Sequence, residues 1–235
     1  MPEIKSSYLH LCIFVPAHFN GGRQIDLRSL AFHLLALINP LLNAVKNFPL
    51  ILTALRALLG PVVICLALLS PNRMAFGACL IAAFLSDVFD GILARRLNVA
   101  TPNLRRLDSV ADTIFYLSAI FAAWRLHPSA ITERLAPLIT LCVLELVRYL
   151  FDFAKFGREA SYHMWSSKLW GVALFVGFFA LLALGISGLP VSAAIYVGIV
   201  ADLEGLAISI VLREWKTDVP TILHAFRLRS AHQQM

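Results

Sequence analysis

Six long apolar runs follow one another along the chain, at about 51–70, 74–94, 108–124, 135–153, 167–186 and 189–212. Each approaches the roughly 20 residues that an α-helix needs to cross a bilayer. Turn-forming residues separate several of them: Ser70, Pro71 and Asn72 after the first run, Leu126 to Ala130 after the third, and Gly185 to Pro190 after the fifth. A shorter run, Leu30 to Ile38, follows Asp26, an N-capping residue type, and is expected to stop near Pro40. It is too short to span and reads as an interfacial helix, with Arg23, Arg28 and Lys46 toward the headgroups. The pattern predicts an all-α polytopic membrane helix bundle with about six transmembrane helices plus this N-terminal interfacial helix. A single membrane domain is expected over 47–212, preceded by a leader and the interfacial helix over 1–46 and followed by a short basic tail over 213–235.

Composition agrees. Of 235 residues, 59% are apolar and 14% charged, with a mean hydropathy of +0.77, well outside the soluble globular range. The net charge of +6 does not point to nucleic acid, because the basic residues are scattered at helix ends rather than gathered in a tract with interleaved aromatics. The lipid bilayer is the expected partner. Cys12, Cys65, Cys79 and Cys142 are widely spaced and form no metal-ligand or redox pattern, so they read as small packing residues. No cleavable signal is evident near Met1, and the first span is expected to act as its own insertion signal.

The basic residues also carry topology. Connections on one side hold Arg73, Arg125 and Arg134, whereas Arg95, Arg96, Arg105, Arg106, Lys155, Arg158, Lys168 and Arg213 are among those on the other. By the positive-inside rule the second side, with both termini, is expected in the cytoplasm. A multi-pass protein of a bacterial inner membrane suits these features.

Four aspartates, Asp87, Asp90, Asp108 and Asp112, sit where the second and third runs meet that cytoplasmic side. An aspartate near the middle of a membrane helix costs about 2.5 to 3.5 kcal/mol on insertion scales, so four together call for cations, water or a charged substrate. On a helix, Asp87, Asp90, Gly91 and Ala94 share one face, and Asp108 and Asp112 share another. A linker of about a dozen residues lets the two helices run antiparallel, so the acidic faces converge beside two residues with almost no side chain. Carboxylate-only ligation suits Mg2+ or Mn2+ rather than zinc.

This spacing, with Arg95 following Ala94, resembles the signature of the CDP-alcohol phosphotransferase family, in which glycine stands where this chain has Leu104. Upstream, Pro49, Thr53 and Arg56 look like the family's Pro-Asn-x-x-Thr-x-x-Arg pattern at the first span, with Leu50 at the asparagine position. The resemblance covers roughly 47–212. It implies attack by an alcohol hydroxyl on the phosphate next to diacylglycerol in CDP-diacylglycerol, with release of CMP. Asp87, Asp90 and Asp108 would hold two Mg2+ or Mn2+ ions. Asp112 would contribute to the metal site and act as general base. Thr53, Arg56, Gly91, Ala94 and Arg95 would serve the nucleotide and donor phosphates. A homodimer is implied as well.

Around the end of the fourth run, Arg158 and Lys168 are candidates for binding the acceptor. A positive pocket favours an acceptor that carries phosphate, glycerol 3-phosphate first, with inositol, inositol phosphate and serine as alternatives. The other reading is contact with anionic headgroups. His163 reads as a polar loop residue, and Trp165 and Trp170 as interfacial anchors. Glu145 and Arg148 suggest a local ion pair, while Asp202 and Glu204 either face a polar cavity, pair with Arg148 or line a subunit contact. A divalent-cation transporter with an intramembrane acidic site would also explain the carboxylates, but not Gly91, Ala94 and Arg95 in register. An inactive scaffold that kept the fold has only Leu104 in its support.

Overall fold

The computed structural model describes residues 27–97, 101–158 and 162–231, with side chains in the first helix from Phe48 onward. The described elements are helices: α1 Leu27–Leu69, α2 Arg73–Arg96, α3 Pro102–Leu126, the short α4 Pro128–Thr132, α5 Leu135–Phe156, α6 Trp165–Phe178, α7 Leu189–Val211 and α8 Ile222–Ala231. The leader before residue 27, with Asp26 and Cys12, lies outside the described residues.

Among the described residues, five stretches are long and apolar enough to cross a membrane: Phe48–Leu69, Arg73–Leu93, Arg106–Leu126, Trp165–Leu184 and Leu189–Val211. The run expected as a further span over 135–153 forms α5, whose 22 residues suffice in length but carry Glu145, Arg148, Asp152 and Lys155, and it is not among the stretches apolar enough to cross. The stop expected near Pro40 is absent. α1 continues from Leu27 through Pro40, Pro49 and Pro61 to Leu69, so the boundary expected at 46/47 falls inside one helix. A proline removes a single N–H and tends to kink a helix, but the turns beyond it can carry on where apolar sequence resumes. The connection after α3 also differs from a plain turn, because Pro128 starts the short helix α4.

The remaining ends follow local chemistry. Asn72 Oδ1 accepts from the backbone N–H groups of Met74 and Ala75 at the start of α2. Thr101 caps α3 by accepting from the Leu104 N–H, and Pro102 occupies the first helical turn. Gly157 closes α5 in the left-handed region, φ 67°. α6 runs on as a π-helical segment, Phe179–Leu184, closed by Gly185 at φ 75°.

α1 packs along α2 and α3, α7 packs along α5 and α6, and the π segment lies against α2, joining the two groups. The core between them combines Val63, Phe76, Leu80, Phe115, Leu181 and small residues such as Ala67, Ala83 and Ala122. Small side chains let helices approach closely where lipid supplies no hydrophobic drive between them. At the α1–α3 crossing, a Cβ on Gly60 would come within 3.0 Å of the Ile114 and Ser118 side chains. Cys79 is a half-buried free thiol that packs against the core, whereas Cys65 and Cys142 are free thiols on the exposed surface of the bundle rather than in its packed interior.

Candidate active site

The acidic site forms where α2 ends and α3 begins. Thr101 and Pro102 start α3 early, so only residues 97–101 connect the two helices, fewer than the expected dozen. Asp87 and Asp90 lie within the span Arg73–Leu93, and Asp108 and Asp112 within Arg106–Leu126. One oxygen each from Asp87, Asp90 and Asp108 lies within 4.8 Å of the others.

Arg56 of α1 stands at the centre of all four carboxylates. Its Nη1 is 2.5 Å from Asp87 Oδ1 and 2.6 Å from Asp112 Oδ1, and its Nη2 is 2.9 Å from Asp90 Oδ2 and also bonds Asp108 Oδ1. Pro49, Thr53 and Arg56 recur at helical spacing and are all buried, so one stripe of α1 faces the site. Thr53 donates to the Pro49 carbonyl at 3.0 Å and lies 3.5 Å from Asp90 Oδ2.

Charge explains the arrangement. A guanidinium that is 1% exposed is costly in a membrane span unless anions surround it. One cation against four carboxylates still leaves a local excess of three negative charges. The Asp87, Asp108 and Asp112 side chains keep 47%, 36% and 35% exposure, so the excess faces accessible space while Asp90 is buried. All-oxygen donors converging on one point suit a hard divalent ion.

The structure thus brings together Asp87, Asp90, Asp108, Asp112, Thr53 and Arg56. Gly91 is half-buried on the same helix, and a Cβ built there meets nothing within 4 Å. The side chains of Ala94 and Arg95 lie outside the described residues. Leu104 sits in the first turn of α3, half-buried, with its N–H bound to the Thr101 cap.

Arg158 and Lys168 are elsewhere. The Arg158 guanidinium stacks 4.8 Å over the Trp215 ring and Lys168 Nζ lies 4.3 Å over Trp165. No ion pair among the described residues links either to the aspartates.

Two features were not anticipated from sequence. A narrow crevice beside the acids is lined by Arg56, Asp87 and Asp112 together with Phe84, Tyr116 and Phe175. Tyr116, one helical turn beyond Asp112, and Phe84, one turn before Asp87, were identifiable from spacing; Phe175 of α6 was not. The second is a buried chain in which Ser209 donates to Asp152 and shares a 2.9 Å hydrogen bond with the Tyr162 hydroxyl. Lys155 Nζ donates to the Ser209 carbonyl at 2.8 Å. Burial pushes the Tyr162 phenol up from its ordinary pKa.

Asp202 pairs with Arg148, Nε to Oδ1 3.3 Å. The expected Glu145–Arg148 pair is not formed among the described residues: Glu145 is exposed, and Arg148 lies along α7, where Gly205 admits it. A Cβ on Gly205 would stand 2.9 Å from Arg148 Cδ. Glu204 Oε1 instead accepts from the Ile222 N–H at the start of α8, and His163 lies 3.9 Å from Asp218.

The family model for CDP-alcohol phosphatidyltransferase matches residues 46–211. No curated protein and no solved structure matches the chain.

Proposed function

The chain belongs to the CDP-alcohol phosphatidyltransferase family, and on that premise we propose that it transfers a phosphatidyl group from CDP-diacylglycerol to a small polar alcohol, glycerol 3-phosphate first, releasing CMP. The observation that carries this reading is the convergence of Asp87, Asp90 and Asp108 oxygens within 4.8 Å inside the matched region.

In this reading Asp87, Asp90 and Asp108 hold Mg2+ or Mn2+, with Asp112 alongside. When bound, the ions neutralise charge that builds on the departing phosphate. Asp112 takes the proton from the acceptor hydroxyl as its oxygen bonds the phosphorus next to diacylglycerol. The phosphorus–oxygen bond to CMP breaks in the same displacement, and the bond's electrons leave with CMP. Thr53, Arg56, Gly91, Ala94 and Arg95 receive the nucleotide and the donor phosphates. Support for this comes from the open space beside Gly91 and the burial of Thr53 next to Asp90. The crevice lined by Phe84, Tyr116 and Phe175 keeps bulk water from one side of the carboxylates.

The site end of the bundle and both termini are proposed to face the cytoplasm, since basic residues concentrate there. A homodimer in a bacterial inner membrane completes the reading. Purified protein given CDP-diacylglycerol, Mn2+ and a panel of alcohols tests it through CMP release. Metal-dependent release that requires glycerol 3-phosphate is the expected result. Release with inositol, inositol phosphate or serine in its place would move the acceptor, and no release with any alcohol would sink the donor assignment.

A further inference from the structure

We infer that Arg56 competes with the divalent ion for the charge of the same carboxylates, and so sets how tightly the site holds metal. The inference rests on the metal role proposed above for these aspartates. Arg56 reaches one oxygen on each of Asp87, Asp90, Asp108 and Asp112. The first three of these residues also form the one grouping of metal-capable side chains among the described residues. Arg56 engages a single oxygen of each carboxylate, but the negative charge is delocalised over both oxygens, so the guanidinium and an ion draw on the same charge. An ion entering the cluster draws on the charge that already holds Arg56.

The repulsion acts in the same direction. A unit positive charge a few ångströms from a divalent ion, in surroundings less polarisable than water, weakens binding by about tenfold or more. Arg56 is fixed chiefly through these contacts. Its two terminal nitrogens carry all four pairs, whereas Nε is buried without a hydrogen-bond partner. Carboxylate charge drawn onto an ion is therefore lost directly by the guanidinium. Arg56 thus offsets part of the acidic charge when no ion is bound, and metal affinity is held below what the carboxylates alone would give.

The test is Mn2+ binding to the full-length protein in detergent, without nucleotide or lipid donor, followed by electron paramagnetic resonance of free Mn2+ and by thermal unfolding with and without the ion. Arg56→Gln is expected to bind Mn2+ about tenfold tighter or more than the unmodified chain. Its melting temperature without metal should fall, and Mn2+ should raise it by more than in the unmodified chain. Arg56→Lys, which keeps the charge but loses the fork, should fall between. A purely structural role would lower the melting temperature and leave the affinity where it was. Equal or weaker affinity in Arg56→Gln overturns the inference, and Arg56→Lys decides it by the same criterion should Arg56→Gln not fold. Absence of Mn2+ binding in all three proteins would overturn the metal reading itself.

Discussion

Arg148 on α5 meets Asp202 on α7 with Nε 3.3 Å from Oδ1, and the Asp202 side chain is only 2% exposed. Neither residue belongs to the acidic site, so the pair serves to fasten two helices. Removing one partner of a buried pair leaves an uncompensated charge, whereas replacing both with apolar residues is often nearly neutral. Asp202→Ala should therefore destabilise the protein by about 3 kcal/mol, and Arg148→Met combined with Asp202→Leu should recover most of it. Thermal unfolding of the three variants reads this out. A melting temperature unchanged in Asp202→Ala would show that the pair contributes nothing.

Much of this architecture was legible because apolar length and turn chemistry are local properties. The run after Asn72, the break at Ser70 to Asn72 and the facing of Asp87 with Asp90 follow from spacing alone. Contacts between distant helices were less accessible. Pro49, Thr53 and Arg56 stood out through their resemblance to the family's pattern, but nothing in their spacing says that Arg56 would sit among all four aspartates. That depends on how α1 crosses α2 and α3, which Gly60 and the small core alanines determine. The stop expected at Pro40 is absent for a related reason: a proline's local penalty does not end a helix whose apolar sequence resumes beyond it. Arg148 likewise had three acidic candidates, Glu145, Asp202 and Glu204, and the choice of Asp202 follows from Gly205 on the facing helix.

Asp112 bonds Arg56 Nη1 at 2.6 Å and keeps 35% side-chain exposure, so a hydroxyl can reach it from the accessible side. A general base typically contributes about 10²- to 10⁴-fold. Asp112→Asn should lower kcat for CMP release by at least about a hundredfold while the protein still folds, because Asn keeps the shape. CMP release intact in this variant would rule Asp112 out as base. Removal of divalent ions with a chelator should abolish release in the unmodified protein, and added Mn2+ or Mg2+ should restore it.

Two glycines separate packing from chemistry. A Cβ at Gly198 would lie 2.6 Å from Trp170 Nε1 and 2.9 Å from Leu141 Cδ1, so Gly198→Ala should overpack the α5–α6–α7 contact and cost about 1 to 3 kcal/mol. At Gly91 the same methyl meets nothing within 4 Å. Gly91→Ala should melt at an unchanged or slightly higher temperature, alanine being the better helix former, yet raise KM for the nucleotide donor. If the donor KM is unaffected, the nucleotide does not approach the helix at Gly91.

Arg158 and Lys168 carry the acceptor assignment, and their surroundings allow a sharp comparison. Both are exposed, and the described contacts of their charged groups are with the Trp215 and Trp165 rings. Such contacts orient a cation without neutralising it, so the positive charge stays available to a phosphate. A charge-assisted hydrogen bond contributes about 1.5 to 3 kcal/mol, and its loss should raise KM about tenfold or more. Arg158→Gln and Lys168→Gln should therefore raise KM for glycerol 3-phosphate with little change in kcat, and leave KM for an unphosphorylated alcohol as it was. Equal effects on both alcohols would mean that the two residues act on the loop rather than on the acceptor's phosphate. Unchanged KM for both would assign them to the lipid headgroups. In that event Trp215→Ala and Trp165→Ala should weaken binding to anionic vesicles without altering CMP release in detergent.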